Sequence, residues 1–236
     1  MARIHLNQLQ LNKLFFRKDR FLKAADNLQA RLQPFIKNTT DASLNNRAKW
    51  ISSQLTAFSR RIKMFAGDKS SFDQQAKELF GVQPPPYSEE HFRSLLKQLE
   101  HILPGEGSVF SRFQNLANRF IIPNQKLDTV IKTTIAESRQ RTKEYFHLPP
   151  SEDFRLEYVA GKSWTGYNWY QGNYESLLQF NTDVTTFIDR IIDAASHEGY
   201  PGHHVYNSLL EKNLYRDNGW SEISLYPLFS PQSLIA

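Results

Sequence analysis

Over the first two-thirds of the chain, apolar residues recur at intervals of three, four and seven, a period that amphipathic helices bury along one face. Leu6, Leu9, Leu14, Phe15, Phe21, Leu22, Ala25, Leu28 and Leu32 form one such stripe over residues 4–33. Pro34 is expected to end or kink that helix, because proline lacks the N–H that a helix interior needs. Asp41 or Ser43 stands where a cap is needed for a second helix carrying Trp50, Ile51, Leu55, Phe58, Ile62 and Phe65, which Gly67 stops. Shorter helices are expected over 72–80, after Ser88, and over 107–121, with a longer one over 128–145. Gly81, Pro84-Pro85-Pro86, Pro104-Gly105, Pro123 and Pro149-Pro150 separate them.

The period changes near residue 154. Phe154-Arg155-Leu156-Glu157-Tyr158-Val159 alternates apolar and polar residues, as a half-buried strand does. The stretch from Ser163 to Tyr174 is crowded with Trp164, Tyr167, Trp169 and Tyr170 and punctuated by Gly166 and Gly172, and 174–180 fits a second strand. The expected fold is therefore mostly α with a small antiparallel β-sheet: a helical region over 1–150, then the sheet and a last helix over 151–236, in one continuous domain. That last helix opens at Thr185 and places Phe187, Ile188, Ile191, Ile192 and Ala195 on its buried side.

With 40% hydrophobic residues the 236-residue chain has enough apolar surface for a core, and no apolar run reaches the length of a membrane span or a signal peptide. It contains no cysteine, so a metal would be held by His, Asp or Glu. A cytoplasmic protein is the simplest expectation. The net charge of +5 is spread over several helices and mixed with acids, as on a solvated helical surface. No nucleic-acid partner is expected.

The last helix runs into His197-Glu198-Gly199-Tyr200-Pro201-Gly202-His203-His204, which holds three of the chain's seven histidines. Neutral imidazoles bind zinc well, and an adjacent carboxylate can take a proton from water that the metal acidifies. In the usual His-Glu-x-x-His spacing, two histidines share one helix face a turn apart. Here the second histidine arrives six or seven positions after His197. On an unbroken helix six residues advance about 9 Å and face elsewhere, and seven advance about 10.5 Å. Neither suits ligands that must each come within about 2.1 Å of one ion. Pro201 and Gly202 supply the means of a break or bulge that returns a histidine to the metal.

His-Glu-x-x-Pro-Gly-His-His resembles the signature of the metallopeptidase-like proteins catalogued as the bacterial domain of unknown function 885. Residues 71–82 resemble that family's mid-chain helix, and 167–183 the strand region before its metal helix. The resemblance implies a gluzincin-like helical fold, a Zn2+ site and hydrolysis of a peptide substrate. Carried over, His197 and His203 are the metal ligands and Glu198 the general base. His204 supports the site from behind or stabilises an oxyanion, and an exchange of roles between His203 and His204 stays open. The sheet would align an extended peptide by edge pairing. The family's third ligand, a glutamate followed by glycine, has no counterpart after the cluster, where Glu211, Asp217 and Glu222 are the only acids. Two alternatives follow. Either Glu222, nineteen positions after His203, is that ligand, or it lies beyond Ala236 and the chain is an inactive fragment, a binding or scaffold protein with the same fold.

Overall fold

A computed structural model of the protein describes residues 17–225 and 230–234. Leu6, Leu9, Leu14 and Phe15, expected in the first helix, lie outside the described residues. The protein is mostly helical, with one small three-stranded mixed sheet. Its backbone divides into two compact units, one holding Pro86–Trp220 and the other the described residues up to Pro85 together with those from Ser221.

In the second of these, α1 (Lys18–Asn38) packs on α2 (Ala42–Phe65), and α2 on α3 (Phe72–Phe80). Pro34 lies inside α1 and does not end it. The helix closes four residues later, where the Thr39 N–H donates to the Phe35 carbonyl. Asp41 is the cap of α2, its carboxylate accepting from the Leu44 N–H at 3.0 Å. Gln29 on α1 donates to the Ser52 carbonyl at 2.8 Å and to Thr56 at 3.0 Å on α2. Buried Arg60 pairs with Asp68 and Glu78 at 2.5 and 3.5 Å, joining α2 to the chain around α3. Short 3-10 turns at Ser221–Ser224 and Pro231–Leu234 complete this unit, the latter against α2 and α3.

The other unit contains α4 (Glu89–Ile102), α5 (Val109–Asn118), α6 (Asn124–Tyr145), the strands β1 (Asp153–Val159), β2 (Gly166–Gly172) and β3 (Glu175–Asn181), then α7 (Ile188–Glu198) and α8 (His203–Leu209). A π-helical segment, Leu210–Arg216, continues α8. Ser88 caps α4, accepting from the His91 N–H, but no residue of α4 is buried.

The sheet is mixed, which corrects the antiparallel expectation. Its order is β1-β3-β2, with β1 parallel and β2 antiparallel to β3. The aromatic, glycine-punctuated stretch is itself a strand. Asn173 and Tyr174 both adopt left-handed dihedrals, φ 55° and 65°, the pairing that closes a two-residue hairpin in the twist of its strands. β2 and β3 therefore form the hairpin, and β3 takes the place beside β1.

Along the sheet, Leu156 of β1, Ser176, Leu178 and Phe180 of β3, and Gly166, Asn168 and Tyr170 of β2 share one face by register and alternation. The core forms where Leu178 and Phe180 meet Ile131 and Ile135 of α6, Ile191 and Ala195 of α7, and Val205 of α8.

Candidate metal centre

On α7 the buried stripe runs Ile191, Ala195, Glu198, steps of four and three that keep one face. The last of these is a carboxylate, only 8% exposed. His197, one position around the helix, is exposed. Helical phase alone thus turns the histidine outward and the glutamate inward.

The chain then doubles back. The Gly199 N–H donates to the Ala195 carbonyl and the Gly202 N–H to the Ser196 carbonyl, each at 3.0 Å, and the peptide bond between Tyr200 and Pro201 is cis. A Cβ on Gly202 would lie 1.8 Å from the His197 carbonyl oxygen. Only glycine lets the backbone cross the end of α7 this closely. α8 starts at the next residue, so His203 returns to His197, their ring centroids 4.6 Å apart and their planes at 78°. The break answers the spacing problem posed by the sequence.

Ligand atoms of His197, Glu198 and His203 all lie within 4.8 Å of one another, and no other His, Asp or Glu grouping of this kind occurs among the described residues. Two imidazoles and a carboxylate are a donor set that suits zinc in chemistry.

His204 goes elsewhere. It is fully buried, its Nε2 faces a Glu152 carboxylate oxygen at 3.0 Å and its Nδ1 the Ser176 hydroxyl at 2.8 Å. A carboxylate only accepts, so Nε2 carries a proton toward Glu152, and Nδ1 is engaged with the Ser176 hydroxyl. Both ring nitrogens are committed, which leaves no lone pair for a metal and no N–H for an oxyanion. His204 thus stands behind the cluster, bonded to Glu152 and Ser176.

The acids downstream are also engaged. Glu211, fully buried, accepts from Tyr170 at 2.7 Å, from Arg216 at 2.6 and 2.9 Å and from the Asn173 N–H at 3.2 Å. Asp217 accepts from Lys212 at 2.9 Å. Glu222 belongs to the other unit, where Arg47 holds both its oxygens at 2.5 and 2.8 Å. Each of these carboxylates is drawn below the ordinary range or occupied by a cation rather than left for an ion.

β2 lies against Glu198. A Cβ on Gly166 would stand 3.2 Å from the Glu198 Cγ and 3.3 Å from the Phe180 ring. Asn168 donates to the Glu198 carbonyl at 2.7 Å and to the Ser176 hydroxyl at 3.2 Å. Without a metal, burial pushes the Glu198 carboxyl up to about 7, a hydrogen bond from the Asn168 backbone opposing it. Glu152, Asn168 and Ser176 were not singled out as site residues from the sequence. Nothing local marks them, because each acts across the tertiary structure on a residue at least 28 positions away. Comparison of the chain with protein-family models, with curated proteins and with solved structures finds no match.

Proposed function

We propose that this chain is a zinc metallopeptidase-like protein, with His197 and His203 holding the ion and Glu198 acting as general base on the attacking water. The observation that carries this reading is the return of His203 across five intervening residues to bring its ring centroid 4.6 Å from that of His197, with the Glu198 carboxylate in the same cluster. The resemblance of His-Glu-x-x-Pro-Gly-His-His to the bacterial domain of unknown function 885 supports the same assignment. A zinc ion in this donor set would supply Lewis acidity, acidifying water and polarising a carbonyl. Glu198 would take the proton from that water and pass it to the leaving amine. β2, whose Gly166 and Asn168 touch Glu198, stands at the end of the strand order β1-β3-β2, the position from which a strand would align an extended peptide.

A second reading, the same fold without chemistry, is favoured by one observation. Among the described residues, the only third ligand within reach is Glu198 itself, and a carboxylate bound to the ion is a poor base.

Zinc content and peptide hydrolysis separate the two. In the peptidase reading, the folded protein supplied with zinc retains close to one equivalent and loses it in His197→Ala. Glu198→Gln keeps the zinc and loses about 10²-fold or more in peptide hydrolysis. Loss of zinc from Glu198→Gln would assign the carboxylate as a ligand. A folded parent protein that retains no zinc would sink the metallopeptidase reading.

A further inference from the structure

Both residues that bracket the Pro-Gly-His step, Tyr200 before it and His204 after it, hydrogen-bond to one carboxylate. Glu152 lies in the turn between α6 and β1 and is 5% exposed. One of its oxygens accepts from the Tyr200 hydroxyl and from His204 Nε2. The other accepts from Arg139 of α6 at 2.6 and 3.0 Å, and the Arg139 guanidinium also lies 5.6 Å from the centre of the Tyr200 ring. Phe154 packs edge-on to both the Tyr200 and the His204 rings.

The connection continues through the sheet. The Ser176 hydroxyl hydrogen-bonds to His204 Nδ1 and accepts from Asn168, which also donates to the carbonyl of Glu198. An unbroken hydrogen-bonded path therefore runs from the last residue of α7, through β2 and β3, into α8 and on to Glu152. It spans the break between the two helices from outside and contains neither His197 nor His203. With residues 200 and 204 held at fixed points, the three residues between them have little freedom, and the direction in which His203 projects is set.

We infer that Glu152 is a positioning residue of the candidate metal centre, which anchors Tyr200 and His204 and so holds His203 against His197. Removing it leaves both histidines in place in the chain but frees the segment that aims one of them. The affinity arm of the test rests on the zinc site proposed above, whereas a second arm does not.

In the first arm, zinc affinity is measured by competition with a chromophoric chelator for the parent, Glu152→Gln, His203→Ala and the double variant. Glu152→Gln is expected to weaken zinc about tenfold or more, in the range found for residues that orient metal-bound histidines. In the His203→Ala background the same change should have no further effect, because the residue it positions is gone. An equal loss in both backgrounds, or no loss in either, would overturn the inference.

In the second arm the histidine ring protons of the metal-free protein are followed by NMR. The edge-to-face contact of His197 and His203 displaces their resonances, and Glu152→Gln should move them toward those of exposed His101 and His147. Tyr200→Phe, which deletes one hydroxyl and keeps the ring, should shift them in the same direction by less and serves if Glu152→Gln does not fold. Unmoved His197 and His203 resonances would overturn the positioning role whether or not zinc binds. Moved resonances in a protein that takes up no zinc would uphold it and refute the metal site alone.

Discussion

Gly202 shows how little space the break leaves at the scale of one residue. Its missing side chain is filled by the carbonyl of His197, and the neighbouring Gly199 is nearly as crowded, with 2.8 Å between a hypothetical Cβ and the Ala195 carbonyl oxygen. These contacts are with backbone, which cannot swing aside. Gly202→Ala should therefore cost more than about 3 kcal/mol, beyond ordinary overpacking, read as a fall in denaturant midpoint, and should abolish zinc uptake. At Gly166 the crowding atoms belong to the Glu198 and Phe180 side chains, so the same substitution there is expected to be milder. A Gly202→Ala protein of parental stability would show that the backbone does not cross α7 so closely. The glycine was visible in the sequence as a permissive residue; the carbonyl that makes it obligatory was not.

At the scale of elements, the hairpin and the π-helical segment are held by one buried carboxylate. Glu211 receives Tyr170 from β2, the Asn173 N–H from the turn and Arg216 from its own segment. Arg216 also donates to the Asn173 side chain at 2.7 Å and lies 5.1 Å from the centre of the Tyr174 ring. These contacts secure two consecutive non-glycine residues in left-handed conformations, which sterics otherwise disfavour. Glu211→Ala would take away the acceptor of the Tyr170 O–H and of the Asn173 N–H and should cost about 2 kcal/mol or more. The measurement is urea unfolding, with amide exchange expected to quicken at the turn. Exchange unchanged at Asn173 and Tyr174 would mean that other contacts hold the hairpin. Helical periodicity located α2, α3, α6 and α7 to within a few residues, since a buried stripe leaves its mark at every turn. Strand partnership left no such mark, and the parallel pairing of β1 with β3 was missed for that reason.

Across the whole molecule, arginines are interleaved with acids in pairs such as Arg47–Glu222, Arg60–Asp68, Arg139–Glu152 and Arg216–Glu211, and no described helix is long and apolar enough to cross a membrane. Two carboxyls of the site give stability opposite dependences on pH. Glu152, with three donors around it, is held down to about 2, so its contribution is complete above about 4.5 and is lost as the pH falls toward 2. Burial of Glu198 lifts its carboxyl to about 7. The folded state then keeps a proton that the unfolded chain releases, and stability present below about 4.5 declines as the pH rises through 7, by roughly 3 kcal/mol. Urea unfolding of the metal-free protein across this range should show that decline, and Glu198→Gln should flatten it on the neutral side only. An unchanged slope in the variant would remove Glu198 as its source.

The sequence by itself determined the helical class, most helix positions and the concentration of histidines beside a glutamate at the end of α7, because apolar period and residue chemistry are properties of neighbours along the chain. Only the tertiary structure decided that His203 returns to His197 while His204 turns inward to Glu152 and Ser176. That choice depends on a backbone crossing and on partners dozens of residues away, and adjacent histidines carry no trace of it.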